Sequence, residues 1–120
     1  MLTPFGRFLR KLRIDRGEIM KDMAEKLQVT ASFLSAVEVG KKAAPDAWAT
    51  TIARLYNLVD LSGLQHLIDL SKPEFKVEVP RDADDLRRET ALMFSRKVGD
   101  MDHETLMKIL NVMIKKGECE

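Results

Sequence analysis

The sequence has a single cysteine, Cys119, and no long apolar run. One thiol cannot close a disulfide within the chain, and this is typical of proteins from a reducing compartment. No apolar run approaches the roughly 20 residues that a membrane-spanning helix needs, and the N-terminus lacks the apolar segment of a signal peptide. We therefore expect a cytoplasmic protein with no membrane partner.

The sequence also lacks the residue groupings that build catalytic and metal sites. Its two histidines, His66 and His103, are isolated and have no metal-ligand spacing. No Ser/His/Asp or Cys/His arrangement suggests nucleophilic catalysis. We therefore predict no enzyme activity, no bound metal and no cofactor.

A strong excess of one charge is absent too, but the net charge of +1 hides a difference between the two halves. Residues 1–58 carry ten Lys and Arg against six Asp and Glu, whereas residues 59–120 carry ten against thirteen. A basic N-terminal half favours an anionic partner for that half of the protein.

Helical periodicity, by contrast, is abundant between Thr3 and Leu70. Apolar residues recur there at intervals of three and four in five segments. Capping residues and prolines predict where four of the helices begin, at Thr3-Pro4, Thr30, Pro45-Asp46 and Asp60. Gly17 and Gly40 predict two helix ends. Five short helices predict a compact all-α domain over residues 1–71.

The pattern changes after Ser71. The segment "KPEFKVEVP" alternates apolar and charged residues over 75–79, which predicts a short strand. A lone strand must pair, so it would pair with its twin in a second subunit; an extended linker is the alternative. Residues 82–98 and 99–117 each predict a helix. We therefore interpret residues 72–120 as a dimerisation extension made of a strand and two helices.

Residues 20–37 fit the pattern of a helix-turn-helix. This motif needs a small residue where its helices cross, and apolar residues at fixed offsets that hold the helices at a steep angle. Ala24 is the small residue, and the apolar positions are filled by Met23, Leu27, Val29, Leu34 and Val37. Gln28 occupies the turn where Gly usually adopts a left-handed conformation, which costs Gln roughly 1 kcal/mol.

The segment "LRKLRIDRGEIMKDMAEKLQVTASFLSAVEVGKKAAPDAW" resembles the Cro/lambda-repressor type of helix-turn-helix, also called the xenobiotic-response-element family. That family's run of L-R-x-L-R, L-A-x-x-L-x-[VI]-[ST] and [IL]-S-x-[IV]-E-x-G-x-x-x-P is present almost in full. The resemblance covers about residues 3–70 and implies a five-helix, lambda-repressor-like DNA-binding domain. Residues 71–120 are more weakly similar to extensions of some prophage-associated and toxin–antitoxin-linked regulators.

The resemblance also implies roles for individual residues. Arg13 and Glu38 match a structural ion pair between the first helix and the end of the third. The implied DNA contacts lie at the start of the third helix, at its outward positions and in the following loop: Thr30, Ala31, Ser32, Ser35, Ala36, Val39, Lys41 and Lys42. Met20 and Ile19 depart from the family, which commonly has a phosphate-contacting Gln and a capping Thr at these positions.

The third helix carries few side chains that read bases. It has no Arg, Lys, Asn or Gln for a bidentate contact with a base, although Gln28 just precedes it and is counted with the DNA-binding residues. The remaining contacts are thymine-methyl contacts, single hydroxyl hydrogen bonds, and Lys41 and Lys42 for phosphates or a guanine. We therefore expect specificity to depend mainly on DNA shape, thymine methyls and dimer spacing.

Together these features predict a homodimeric, sequence-specific transcriptional regulator that binds an inverted repeat in double-stranded DNA, most often a repressor in this family. One alternative is an antitoxin with the same fold, whose C-terminal helices cover a toxin protein. The other is a protein-interaction module that no longer binds DNA. Met20, the missing Gln and Arg side chains and the near-neutral charge favour that last alternative.

Overall fold

Helices are the regular elements of the computed structural model, which describes residues 1–118. They are α1 (Pro4–Arg16), α2 (Met20–Leu27), α3 (Ala31–Glu38), α4 (Trp48–Leu55), α5 (Leu61–Leu70), α6 (Asp85–Lys97) and α7 (His103–Glu118), with a 3₁₀ turn at Val98–Asp100. The predicted all-α class is confirmed. Over these described residues, no helix combines the length and the apolar character needed to cross a membrane. Cys119 lies outside the described residues.

The chain divides into two compact units. The first spans Met1–Phe75 and contains α1 to α5, and the second begins at Lys76 and contains α6 and α7.

Local sequence signals set the helix boundaries in the first unit. The Thr3 hydroxyl accepts a hydrogen bond from the Gly6 N–H at 3.0 Å, and Pro4 opens α1, as predicted. At the other end of α1, Gly17 adopts a left-handed φ of 66°. Asp60 caps α5 through its carboxylate. These contacts satisfy backbone groups that a helix end leaves without partners.

The start of α4 differs from the prediction. The helix begins at Trp48, whereas the sequence placed its start at Pro45-Asp46. Residues 46 and 47 form a turn, and the Trp48 N–H donates to the Pro45 carbonyl at 3.0 Å. The chain therefore makes one tight turn before the helix begins.

One apolar core joins the five helices of the first unit. Each helix contributes large buried side chains, among them Phe5, Leu9, Met23, Leu34, Ile52, Leu64 and Ile68. Burying one such side chain stabilises the fold by about 1.5–3 kcal/mol. The Trp48 ring lies 6.5 Å from that of Phe5 and 6.0 Å from that of Phe33, both within the range of favourable aromatic pairs. The core therefore fixes α3 against α1 and α4.

The prediction of a strand at residues 75–79 was wrong, because no strand is present in the described residues. Residues 74–80 form an irregular, exposed segment. Its apolar side chains do not lie in a core, since Phe75 is 68% and Val77 is 70% exposed. Alternation of apolar and charged residues favours an extended backbone, but a strand also needs a partner that supplies ladder hydrogen bonds. The irregular segment agrees with the linker that was the alternative to a strand.

The second unit buries very little surface. Between residues 76 and 116 no side chain is buried. Leu106 and Ile109 are half-buried, and the other large apolar side chains of α6 and α7 range from 37% exposed at Phe94 to 74% exposed at Leu86. A two-helix unit of this size has too small a core to be stable by itself. Its apolar faces therefore need a further partner.

Candidate nucleic-acid interface

A tight turn with defined hydrogen bonds joins α2 to α3. Gln28 adopts φ 59° and ψ 41°, the left-handed conformation that the sequence required of it. The Val29 N–H donates to the Ala24 carbonyl at 3.0 Å, and the Gln28 N–H donates to the Glu25 carbonyl at 3.1 Å. These two bonds form a Schellman motif, which ends α2 and turns the chain sharply. Thr30 then caps α3 by accepting from the Phe33 N–H at 3.0 Å.

A buried ion pair attaches the end of α3 to α1. Arg13 Nη1 lies 2.5 Å from Glu38 Oε2, and Arg13 Nη2 lies 3.2 Å from Glu38 Oε1. Arg13 is 7% exposed and Glu38 is 2% exposed. Such a bidentate pair fixes the orientation of both side chains as well as their separation. The ion pair expected between these two residues is therefore formed, inside the protein.

The backbone of Glu38 is held as well. The N–H and the hydroxyl of Thr3 both donate to the Glu38 carbonyl, each at 3.0 Å. A Cβ added at Gly6 would lie only 2.2 Å from the same carbonyl oxygen. α1 and the end of α3 therefore approach until their backbones touch. This contact was not predicted from the sequence, although a Gly inside a helix costs about 0.5–1 kcal/mol relative to Ala and can indicate such an approach.

We expect Gly6→Ala to lower the free energy of unfolding of the first unit by about 1–3 kcal/mol, because backbone atoms would have to move apart. The measurement is the midpoint and slope of urea unfolding. Gly99→Ala is the matched control, since a Cβ there would meet nothing within 4 Å. If Gly6→Ala unfolds at the same urea concentration as the control, the close approach of α1 and α3 is wrong.

A polar cluster around Tyr56 holds α2. The Tyr56 hydroxyl donates to Glu18 Oε1 at 2.7 Å, and Lys26 of α2 forms an ion pair with the other carboxylate oxygen. The Lys26 ammonium also lies 4.9 Å from the centre of the Tyr56 ring, a cation–π contact. Arg16 donates to the Tyr56 carbonyl at 2.6 Å. The chain after α1, the last turn of α2 and the end of α4 are thereby joined.

The cluster keeps its charges at neutral pH. Burial raises the pKa of Glu18, but hydrogen bonds from Lys26 and Tyr56 outweigh it and bring the pKa below its ordinary value. Burial, followed by the hydrogen bond to Glu18, raises the pKa of Tyr56. The phenol therefore remains a donor and the carboxylate an acceptor, and α2 is held in one position.

The nine residues predicted to bind DNA form what we call the candidate surface: Gln28, Thr30, Ala31, Ser32, Ser35, Ala36, Val39, Lys41 and Lys42. Ala36 and Val39 are half-buried and the other seven are exposed. The opposite side of α3 faces the core through Leu34 and Val37. The helix thus presents its first turn and one long side to solvent.

The candidate surface is electropositive. Between residues 28 and 42, Glu38 is the one acidic residue, and its charge is buried against Arg13. Lys41 and Lys42 are exposed, and their backbone N–H groups both donate to the Ala36 carbonyl, at 2.9 and 3.3 Å. The two lysines are therefore anchored at the end of α3, where they can neutralise an anion next to that helix.

The hydroxyls of the candidate surface differ in what they can offer a ligand. The Thr30 oxygen already accepts from the backbone of α3, so the O–H donor and one acceptor lone pair remain for a ligand. Ser32 and Ser35 are exposed and can donate or accept. The surface therefore combines small apolar groups, hydroxyls and two cations.

Comparisons of the chain with protein-family models, with curated proteins and with solved structures find no match. The resemblance of residues 3–70 to the helix-turn-helix family therefore remains a prediction from its sequence motifs.

Proposed function

We propose that this protein is a sequence-specific DNA-binding transcriptional regulator that acts as a dimer on an inverted repeat. α3 would enter the major groove with its N-terminal turn facing the base edges. The second α3 of the dimer would enter the groove about 34 Å away, one helical turn further along the duplex. Bound over a promoter, such a dimer excludes other proteins, so repression is the expected outcome.

The observation that carries this proposal is the way α3 is held. A helix that reads DNA has to be fixed at one end and expose the residues of its first turn. The carboxylate and the carbonyl of Glu38 fix the end of α3, while Thr30, Ala31 and Ser32 remain exposed at its start.

The chemistry of the candidate surface suggests how it would read a site. Ala31 and the Thr30 methyl are suited to thymine methyls, and the serine hydroxyls to single hydrogen bonds with base edges or phosphates. Lys41 and Lys42 would bind phosphates and set the register of the protein on the duplex. Discrimination between sites would then come largely from DNA shape and from the spacing of two half-sites.

Fluorescence anisotropy with a labelled duplex of random sequence tests the nucleic-acid part of this proposal. We expect binding at about 50 mM salt that weakens by roughly 100-fold at about 200 mM salt, because phosphate contacts release counterions. A protein that binds only other proteins would show no such salt dependence, because it makes no contacts with DNA phosphates. If no duplex binds at the lowest salt, the DNA-binding proposal is wrong.

A second candidate is a protein-interaction module that has lost DNA binding. It is favoured by the absence of Arg, Lys, Asn and Gln from α3. An antitoxin of the same fold would bind both DNA and a small toxin protein. The salt titration distinguishes the protein-interaction module, which would bind no duplex, from the proposed regulator. Co-purification of a small protein partner, together with DNA binding, would identify an antitoxin.

A further inference from the structure

α7 carries two apolar stripes, although the second unit contains a single other helix. Ile109 and Met113 belong to the first stripe and, with Leu86 and Phe94 of α6, line a groove of ≈ 600 Å³, in which Ile109 is half-buried and Met113 is 55% exposed. The second stripe consists of Met107, Leu110 and Ile114, which are 46, 48 and 49% exposed. A helix in a hairpin buries one stripe, so a second stripe is typical of a bundle with more helices. The second stripe therefore needs a partner from outside this unit.

The first residues of α7 are acidic, and two lysines lie close to its end. Asp102 and Glu104 lie at its start, where Glu104 also pairs with Lys108 at 3.2 Å, and Lys115 and Lys116 lie near its end, before Glu118. Two copies of α7 placed side by side in parallel would bring like charges together at both ends, which is unfavourable. An antiparallel pair would bring the acidic start of each copy beside the basic end of the other. The charges thus favour a second copy of α7 in the antiparallel direction.

The positions of these residues are also symmetric about the middle of the stripe. Glu104 and Lys115 lie six positions before and five positions after Leu110, on the same side of the helix, and Met107 and Ile114 flank Leu110 within the stripe. An antiparallel pair centred near Leu110 would therefore place Met107 of one copy against Ile114 of the other. Leu110 would lie against its own counterpart. One sequence supplies both sides of this contact, as a two-fold interface requires.

We propose that α7 pairs with α7 of a second copy, antiparallel and about a two-fold axis near Leu110, to form a four-helix bundle with both α6 helices. This rests on the proposed function, since an inverted repeat requires two copies related by two-fold symmetry. It adds the surface, the direction and the register of the pairing.

Cysteine cross-linking tests the direction and the register. In a Cys119→Ser background, the chain with both Met107→Cys and Ile114→Cys should cross-link between positions 107 and 114 under a mild oxidant. Met107→Cys alone should not, because its two copies would lie about 10 Å apart along the axis. A disulfide requires Cα atoms within about 7 Å. Non-reducing electrophoresis and mass mapping of the joined peptides give the readout.

Val112→Cys in the same background is the matched control. Val112 is 63% exposed and lies on the side of α7 away from Leu110, so it should stay monomeric on the gel. Efficient cross-linking of Met107→Cys alone would indicate a parallel pair and overturn the proposal. Failure of the double variant to cross-link, with a monomer in light scattering, would overturn it as well.

Leu110→Glu tests the same surface without new thiols. Placing two carboxylates at the two-fold axis should weaken dimerisation by about 100-fold or more, measured by sedimentation equilibrium. Because the second unit has too small a core without this contact, its helical signal in circular dichroism should fall as the dimer dissociates, whereas α1 to α5 should keep theirs. An unchanged dimer would show that this stripe is not the interface.

These measurements contain no DNA, so they separate this inference from the proposed function. A chain that cross-links as expected but binds no duplex would leave the pairing intact and refute DNA binding. A chain that binds duplex and remains monomeric in the absence of DNA would refute the pairing alone.

Discussion

Glu38→Ala should lower the free energy of unfolding of the first unit by about 3–5 kcal/mol, the largest loss expected for any substitution near the candidate surface. The substitution leaves the Arg13 guanidinium at its 7% exposed position without its carboxylate partner. The free-energy cost of an unpaired buried cation exceeds the loss of the attraction between the two charges. The reason is that the protein interior cannot replace the water that would solvate the cation. The Thr3 hydrogen bonds involve the Glu38 carbonyl and would not be removed. The loss would therefore report on the ion pair itself.

Urea unfolding followed by circular dichroism measures this loss. The matched control replaces both partners, Arg13→Met with Glu38→Leu, because apolar side chains of similar size are often neutral in place of a buried pair. We expect the double variant to recover most of the stability lost by Glu38→Ala. A loss below about 1 kcal/mol for Glu38→Ala would mean that the pair behaves as a solvated surface pair.

Lys41→Ala combined with Lys42→Ala should weaken the binding of all duplexes and flatten the dependence of binding on salt. If each lysine neutralises one phosphate, a dimer loses four contacts and the slope of log K against log salt falls by roughly 3–4. The loss should be the same for every DNA sequence, because phosphate contacts carry no base information. The salt titration by fluorescence anisotropy measures both effects.

Lys72→Ala combined with Lys76→Ala removes the same charge outside the candidate surface. Lys72 is half-buried and pairs with Asp69 at 3.2 Å, and Lys76 is exposed. We expect this control to keep most of the wild-type salt slope. A slope that is unchanged by the Lys41 and Lys42 substitutions would refute the phosphate role of these residues.

The helices of the first unit could be predicted because their signals are local. A cap such as Thr3 or Thr30 acts on a backbone N–H three residues away, and the left-handed turn at Gln28 involves neighbouring residues. Apolar periodicity of 3.6 residues then shows which side of each helix is buried. The exposure of most of the candidate surface follows from that periodicity.

The contacts that position the candidate surface could not be predicted in the same way. The Tyr56–Glu18 hydrogen bond joins residues 38 positions apart, and the contact of Gly6 with Glu38 depends on how two helices cross. Neither has a pattern of its own in the sequence. The Arg13–Glu38 pair was expected from a family resemblance, since spacing alone does not join these residues.

At residues 75–79, by contrast, a local pattern predicted a strand that is not present. Alternation is a property of a segment, whereas a strand is a property of two segments that share hydrogen bonds. The second unit likewise depends on a partner, since its apolar stripes indicate that they are buried but do not show what covers them. Charge and symmetry are the features of α7 that indicate its partner.

Selection of bound fragments from a random pool of duplex DNA tests whether the protein binds a specific, symmetric sequence through α3. We expect enrichment of an inverted repeat whose half-site centres lie about 10 bp apart, or a multiple of that spacing, with recurring thymines in each half. The enriched repeat should bind more tightly than its own scrambled sequence at physiological salt. A selected pool with the same composition and no more symmetry than the starting pool would contradict sequence-specific binding through α3.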